Sequence, residues 1–170
     1  SANHGQDWEP QASGIGNYVN LTGIDFVDDL NGWAVGTYQA IIRTINGGGT
    51  WDTLYLGSSP TGYKGVDFIS PTVGWVVGDE GAILYTQNGG IDWEPQTSGT
   101  NQILDEVEFV DGQNGWILVR DNSLLHTTNG GITWTPQTVD GSTVADISFV
   151  DSQNGWAAGG PIRNTTNGGS

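Results

Sequence analysis

Eight tryptophans fall into two interleaved series, each repeating at an interval of about 42 residues. One series is Trp8, Trp51, Trp93 and Trp134; the other is Trp33, Trp75, Trp116 and Trp156. The four phenylalanines, Phe26, Phe68, Phe109 and Phe149, keep step with the second series. A period of this length is the mark of stacked four-stranded units, each too small to bury its own apolar faces. It rules out an arrangement in which each segment of the chain is structurally unique.

Every unit reads alike. An alternating apolar piece comes first ("GIDFVDD", "GVDFISP", "EVEFVDG", "DISFVDS"), followed by Gly-Trp with branched or small residues ("GWAVG", "GWVVG", "GWILV", "GWAAG"). A third piece follows in "AIIRT", "AILYT" and "SLLHT", and after an Asn-Gly-Gly turn comes a fourth in "TWDTL", "DWEPQ" and "TWTPQ". Short runs rich in Val, Ile, Phe and Trp, broken by Gly, Asn and Asp, predict an antiparallel meander of four strands, A to D. Pro10, Pro95 and Pro136 each stand two residues after a tryptophan of the first series. Proline cannot donate to a ladder, so strand D is the outer edge and strand A lines the axis. The expected fold is an all-β propeller of four-stranded antiparallel blades.

The C–D turn carries the pattern T-x-N-x-G-x-[TD]-W. It is complete at Thr44, Asn46, Gly48, Thr50 and Trp51; at Thr86, Asn88, Gly90, Asp92 and Trp93; and at Thr127, Asn129, Gly131, Thr133 and Trp134. The pattern resembles the Asp-box, or bacterial neuraminidase repeat, with Asn in place of Asp. The fuller unit is similar to the photosystem II stability/assembly factor-like family of β-propellers, and the likeness runs over essentially the whole chain. It implies a propeller fold in which this turn is a folding device. Asn caps backbone N–H groups, Gly supplies a positive φ, and Trp packs back over the hairpin. Asp28, Asp111 and Asp151, before "NGW", read as turn caps of the same sort.

The fourth copy of the turn is divided. Thr165, Asn167 and Gly169 stand at one end of the sequence, and Gly5, Asp7 and Trp8 at the other. The expected division is a closing strand D at 3–12, blade 1 at 13–55, blade 2 at 56–97, blade 3 at 98–138, and strands A to C of blade 4 at 139–170. The N-terminal strand is expected to complete the last blade. Closure within one chain is favoured. Exchange with a second chain, or membership of a longer array, are the alternatives.

Four basic residues against nineteen acidic ones leave a net charge of −15, which speaks against a nucleic-acid partner or an anionic membrane surface. No apolar run is long enough for a membrane span. Cysteine is absent, which removes disulfides and thiolate zinc sites; no cofactor or metal is expected.

The repeats share their scaffold, so function is sought where the copies differ. The D–A connections and B–C turns lie on one face and gather Tyr18, Tyr38, Tyr63, Lys64, Asp79, Glu80, Arg120 and Asp121. Tyrosines among mixed polar groups suit a binding surface. Asp25, Asp67 and Glu108 occupy equivalent positions in strand A, with Ser148 in the fourth unit, and would stand near the axis as an acidic ring. A sialidase-like site would need clustered arginines, and Arg43, Arg120 and Arg163 fall at non-equivalent places. His4 and His126 both sit at the C–D hairpin, His126 in the slot held elsewhere by Arg43 and Tyr85. An enzyme is not expected. Asn20 and Asn164 open N-x-[ST] triplets, which makes them candidate glycosylation sites.

The reading is an exported, non-catalytic propeller that acts by self-assembly or by binding another protein or a glycan. An Asp-box glycosidase is a further alternative. Its expected location is extracellular or the cell envelope, with a thylakoid lumen implied by the family resemblance.

Overall fold

The computed structural model describes residues 8–139 and 143–169. Strands β1 (Leu21–Phe26), β2 (Gly32–Gly36), β3 (Ala40–Thr44) and β4 (Asp52–Tyr55) form the first sheet in that order. Strands β5 (Tyr63–Phe68), β6 (Gly74–Gly78), β7 (Ala82–Thr86) and β8 (Glu94–Thr97) form the second. The third holds β9 (Leu104–Phe109), β10 (Gly115–Val119), β11 (Ser123–Thr127) and β12 (Thr135–Thr138). The fourth holds β13 (Asp146–Phe149), β14 (Gly155–Ala158) and β15 (Arg163–Thr165). All pairings are antiparallel. The protein is an all-β propeller array, as its period requires. Pro95 and Pro136 lie in the edge strands β8 and β12. The inner strands β1, β5, β9 and β13 pack against one another in turn.

One interlocking set of side chains joins each blade to the next. The Trp33 ring stacks on Phe68 at 3.6 Å, Trp75 on Phe109 at 3.5 Å and Trp116 on Phe149 at 3.6 Å. Each indole N–H then donates to a glycine carbonyl in the next blade's Asn-Gly-Gly turn. Trp33 reaches Gly89 at 3.0 Å, Trp75 reaches Gly130 at 3.4 Å and Trp116 reaches Gly168 at 3.2 Å. On its other side each indole is flanked by its own blade's Arg43, Tyr85 or His126. His126 therefore stacks on Trp116 at 4.7 Å and does not simply project to water; burial lowers its pKa.

The glycine of "GW" has a packing reason. Each Phe ring lies flat on the glycine opposite it in its own blade, and a Cβ on Gly74 would meet the Phe68 ring at 2.4 Å. The Phe is thus a slab between glycine and the preceding blade's Trp. The first tryptophan series closes the set edge-on: Trp51, Trp93 and Trp134 meet Phe26, Phe68 and Phe109 at 5.9, 6.1 and 5.8 Å.

The turn bonds follow the motif. Thr86 Oγ1 donates to Asn88 Oδ1 and accepts from the Gly90 N–H at 2.9 Å, while Asn88 Oδ1 accepts from the Asp92 N–H. The same bonds recur at Thr44 and Thr127. Gly48, Gly90 and Gly131 have φ of 85°, 87° and 86°, the left-handed conformation for which glycine is suited.

The expected closing strand falls only partly among the described residues. Among the described residues the fourth sheet has three strands, and residues 8–13 form no ladder with β15. The remainder of the expected closing strand, 3–7, lies outside the described residues. Gln11 sits instead against blade 1, where its Oε1 accepts from Trp51 Nε1 at 3.3 Å and lies over Gly48. Gln96 and Gln137 occupy the same position relative to Gly131 and Gly169 of the next blade. Residues 8–12 are therefore placed like the outer strand of a blade preceding the first. Trp156 is 44% exposed where its three counterparts are fully buried, and Ile24 is 66% exposed.

Candidate functional site

The three strand A acids come near the axis, but each has a structural partner. Asp25 Oδ2 accepts from the Phe68 N–H at 2.8 Å, Asp67 Oδ2 from the Phe109 N–H at 2.7 Å, and both Glu108 oxygens face the Phe149 N–H at 3.0 and 3.1 Å. Each acid staples its strand to the phenylalanine of the next blade. Among the described residues no three His, Cys, Asp or Glu side chains gather for a metal ion.

Burial, with smaller contributions from the charges of Asp25 and Glu108, pushes Asp67 up to about 7. Asp25 and Glu108 are raised as well, burial being the main cause in each. A carboxyl raised in the folded state holds a proton that the unfolded chain has already released. Between the unfolded value of 3.8 and about 7, stability therefore falls as pH rises. Asp67→Asn keeps an acceptor for the Phe109 N–H and removes the charge. It is expected to flatten the change in urea midpoint between pH 5 and pH 8 and to stabilise the protein at pH 8 by about 1–2 kcal/mol, after discounting for solvent screening.

Beside this row lies a concave region of about 430 Å³ at the beginnings of the inner strands. Thr22, Lys64, Asp105, Glu106 and Asp146 supply its polar lining. Register irregularities between Leu21 and Gly23, between Tyr63 and Gly65, and between Leu118 and Val119 bend the strands there. Bulges of this sort re-aim side chains. The glycines permit close approach at the axis, since a Cβ on Gly23 would lie 2.6 Å from the Lys64 carbonyl. Burial and then the Asp146 carboxylate push Glu106 up to about 7.

The loop-face residues do not form one cluster. Lys64 pairs with Asp79 at 3.2 Å, and Asp79 also accepts from the Gly62 N–H at 2.7 Å. Arg120 forms a two-point pair with Asp105. Asp121 accepts from the backbone and hydroxyl of Ser123. Tyr38 and Glu80 occupy turn positions with φ of 59° and 60°. Tyr18, 59% exposed, meets Tyr38 edge-on at 5.3 Å. Tyr63 departs from the expectation of an exposed tyrosine: it is 6% exposed and packed in the core between blades 1 and 2. The sequence reading missed Glu106, Asp105 and Asp146, although the acidic run "LDEVEF" was visible in it. Asn20 and Asn164 are both exposed. Asp28 and Asp151 cap their turns; Asp28 accepts from the Asn31 and Leu30 N–H groups, bonds that lower its pKa.

Asp-box blades stacked through a periodic Trp–Phe interlock around an axial concavity define a neuraminidase-repeat β-propeller. The model of the family described as photosynthesis system II assembly factor YCF48 matches residues 1–94 and 56–141, and the chain belongs to that family. No sequence among the curated proteins matches it. Among solved structures, YCF48 bound to D1 peptide is similar with a TM-score of 0.67 and 20% identity, over 84% of this chain and 48% of that one. YCF48 from Cyanidioschyzon merolae is similar with a TM-score of 0.72 and 16% identity, over 86% and 50%. An ancestral GH74 enzyme reaches 0.61 at 16% identity, over 81% of this chain and 21% of that one. At these identities the likeness is one of fold. The chain spans about half the length of the two YCF48 structures. No helix among the described residues is long and apolar enough to cross a membrane.

Proposed function

We propose that this protein is a non-catalytic protein-interaction module that holds an extended peptide segment carrying Lys or Arg in the axial concavity. The observation that carries this reading is the concavity itself. Its rim sets Glu106 and Asp146 beside a bent-strand floor, while the lining residues Lys64 and Asp105 are already paired, with Asp79 and Arg120 respectively. A cationic side chain entering there meets uncompensated carboxylate, in a protein with net charge −15. Family membership supports a protein partner, and so does the similarity to a YCF48 bound to a D1 peptide. An exported location, whether envelope, extracellular space or thylakoid lumen, accords with the family resemblance.

Titration calorimetry with basic and acidic peptides of equal length tests the reading. Basic peptides are expected to bind more tightly, and affinity is expected to rise from pH 6 to pH 8 as Glu106, held near 7, ionises. Salt is expected to weaken the complex. Glu106→Gln together with Asp146→Asn is expected to cost at least tenfold in affinity. Equal binding of both peptide classes, or no effect of the double variant, would overturn the proposal. A second reading, glycan binding, draws on the exposed Tyr18 against Tyr38. Sugar binding lost in Tyr18→Ala would favour it. Tyr63→Ala would not be informative, because Tyr63 belongs to the core.

A further inference from the structure

Blade 3 departs from its siblings at the turn between its second and third strands. Ser123 stands where blades 1 and 2 carry Ala40 and Ala82, and Asp121 stands where they carry Tyr38 and Glu80. Asp121 Oδ1 accepts from the Ser123 N–H at 3.0 Å and from the Ser123 hydroxyl at 2.6 Å. These bonds, the hydroxyl's first, hold its carboxyl below the ordinary value, so it carries its charge throughout the neutral range. Among the described residues no salt bridge includes it. Arg120, beside it in the chain, turns to Asp105, and Lys64 turns to Asp79.

A pocket of about 260 Å³ opens at this carboxylate, between blade 3 and the chain that follows β8. Val119, Leu125, Trp134 and Pro136 give it an apolar lining, and Asp121 is its one charged member. The copies differ here too. In blade 1, Gly57 lies under the Gln39 side chain, whose Oε1 would stand 2.4 Å from a Cβ on that glycine. Blade 2 has Gly81 in place of Gln39, and a Cβ on Gly99, the counterpart of Gly57, would meet no atom within 4 Å.

The polar groups select what can enter. The Ser98 hydroxyl already donates to the Thr100 carbonyl at 3.0 Å, and the Ser123 hydroxyl donates to Asp121. A saccharide needs protein donors as well as acceptors, and these two donors are spent. An ionised carboxylate only accepts. The ligand that fits is therefore rich in donors at its head and apolar along its stem. We infer that this pocket is a binding site for an arginine side chain of a partner protein. The methylenes lie along Pro136 and Leu125, and the planar guanidinium meets Asp121 beside the Trp134 indole. The pocket belongs to blades 2 and 3, each flanked on both sides, so it does not depend on what precedes or follows this sequence. It borders a B–C turn and a D–A connection, on the face where the axial concavity also opens. That one partner reaches both sites rests on the axial reading; the pocket itself does not.

Titration of nitrogen-15-labelled protein with N-acetyl-arginine methylamide tests it, read at the Trp134 indole N–H signal, which Trp134→Phe assigns by its loss. A saturable shift of that signal is expected. Asp121→Asn changes an exposed side chain and is expected to weaken the binding about tenfold, as loss of a charged hydrogen bond does, with the other indole signals in place to show that it folds. The citrulline analogue, isosteric but uncharged, is expected to give no saturable shift, and the lysine analogue a weaker one. Binding read at Trp134 is expected to be the same at pH 6 and pH 8 and to survive Glu106→Gln with Asp146→Asn, whereas axial binding rises with pH and fails in that double variant. The two sites can therefore fail separately. An unmoved Trp134 signal, equal binding of the citrulline analogue, or parental affinity in Asp121→Asn would overturn the inference. So would loss of the Trp134 shift in the axial double variant, or a shift produced by methyl glucoside and not by arginine.

Discussion

Trp75→Ala is expected to lower the unfolding free energy by about 3–5 kcal/mol, the range for deleting a fully buried large aromatic. The substitution removes three things at once. It takes away the 3.5 Å stack on Phe109, the contact with Tyr85 and the hydrogen bond to the Gly130 carbonyl. The gap opens between blades 2 and 3, where neither sheet can move in without disturbing its other junction. Chemical denaturation followed by far-ultraviolet circular dichroism measures the loss. Trp156→Ala provides the internal comparison. Its side chain is already 44% exposed, so its cost is expected to be about 1 kcal/mol or less. Equal losses for the two would mean that the blade junction is not what holds the array together.

Gly115→Val is expected to destabilise by about 3 kcal/mol, through overpacking and not through a cavity. A Cβ there would lie 2.6 Å from the Phe109 ring, and that ring has Trp75 stacked on its far side. The ring cannot retreat toward Trp75 at 3.5 Å, so the phenylalanine must leave its place or the two sheets must separate. Phe109→Leu combined with Gly115→Val should recover part of the loss by vacating the space. A single Gly115→Val with near-parental stability would refute the slab arrangement. Gly99→Ala is a poor control, because that glycine has a φ of 79° although no atom would approach its Cβ.

The Phe, Gly and Trp that make this slab illustrate what can be read from letters alone. Their spacing within one repeat is local, and strand pairing within a meander follows from turns of two to five residues. Phe26 opposite Gly32, Asn46 over its turn and Pro95 at an edge needed no knowledge of the neighbouring blade. The acids of strand A were visible as a periodic feature, but their role was not. Whether a carboxylate lines water or receives an N–H depends on how closely the next blade approaches. The structure brings the Phe109 N–H to 2.7 Å from Asp67. The same holds for Tyr63, which sits in a loop-like stretch of sequence yet falls in the core where blades 1 and 2 meet.

By itself, then, the sequence determined the repeating sheet, its edge strand and its capped turns, because each rests on residues within one repeat and on stereochemistry that is the same in every copy. Only the tertiary structure decided where Gln11 and its neighbours lie, that Trp156 and Ile24 remain uncovered, and which acids surround the axial concavity. Those depend on how each blade packs on the next. No single repeat encodes that packing, because each interlock takes its tryptophan from one blade and its phenylalanine and glycine carbonyl from the next.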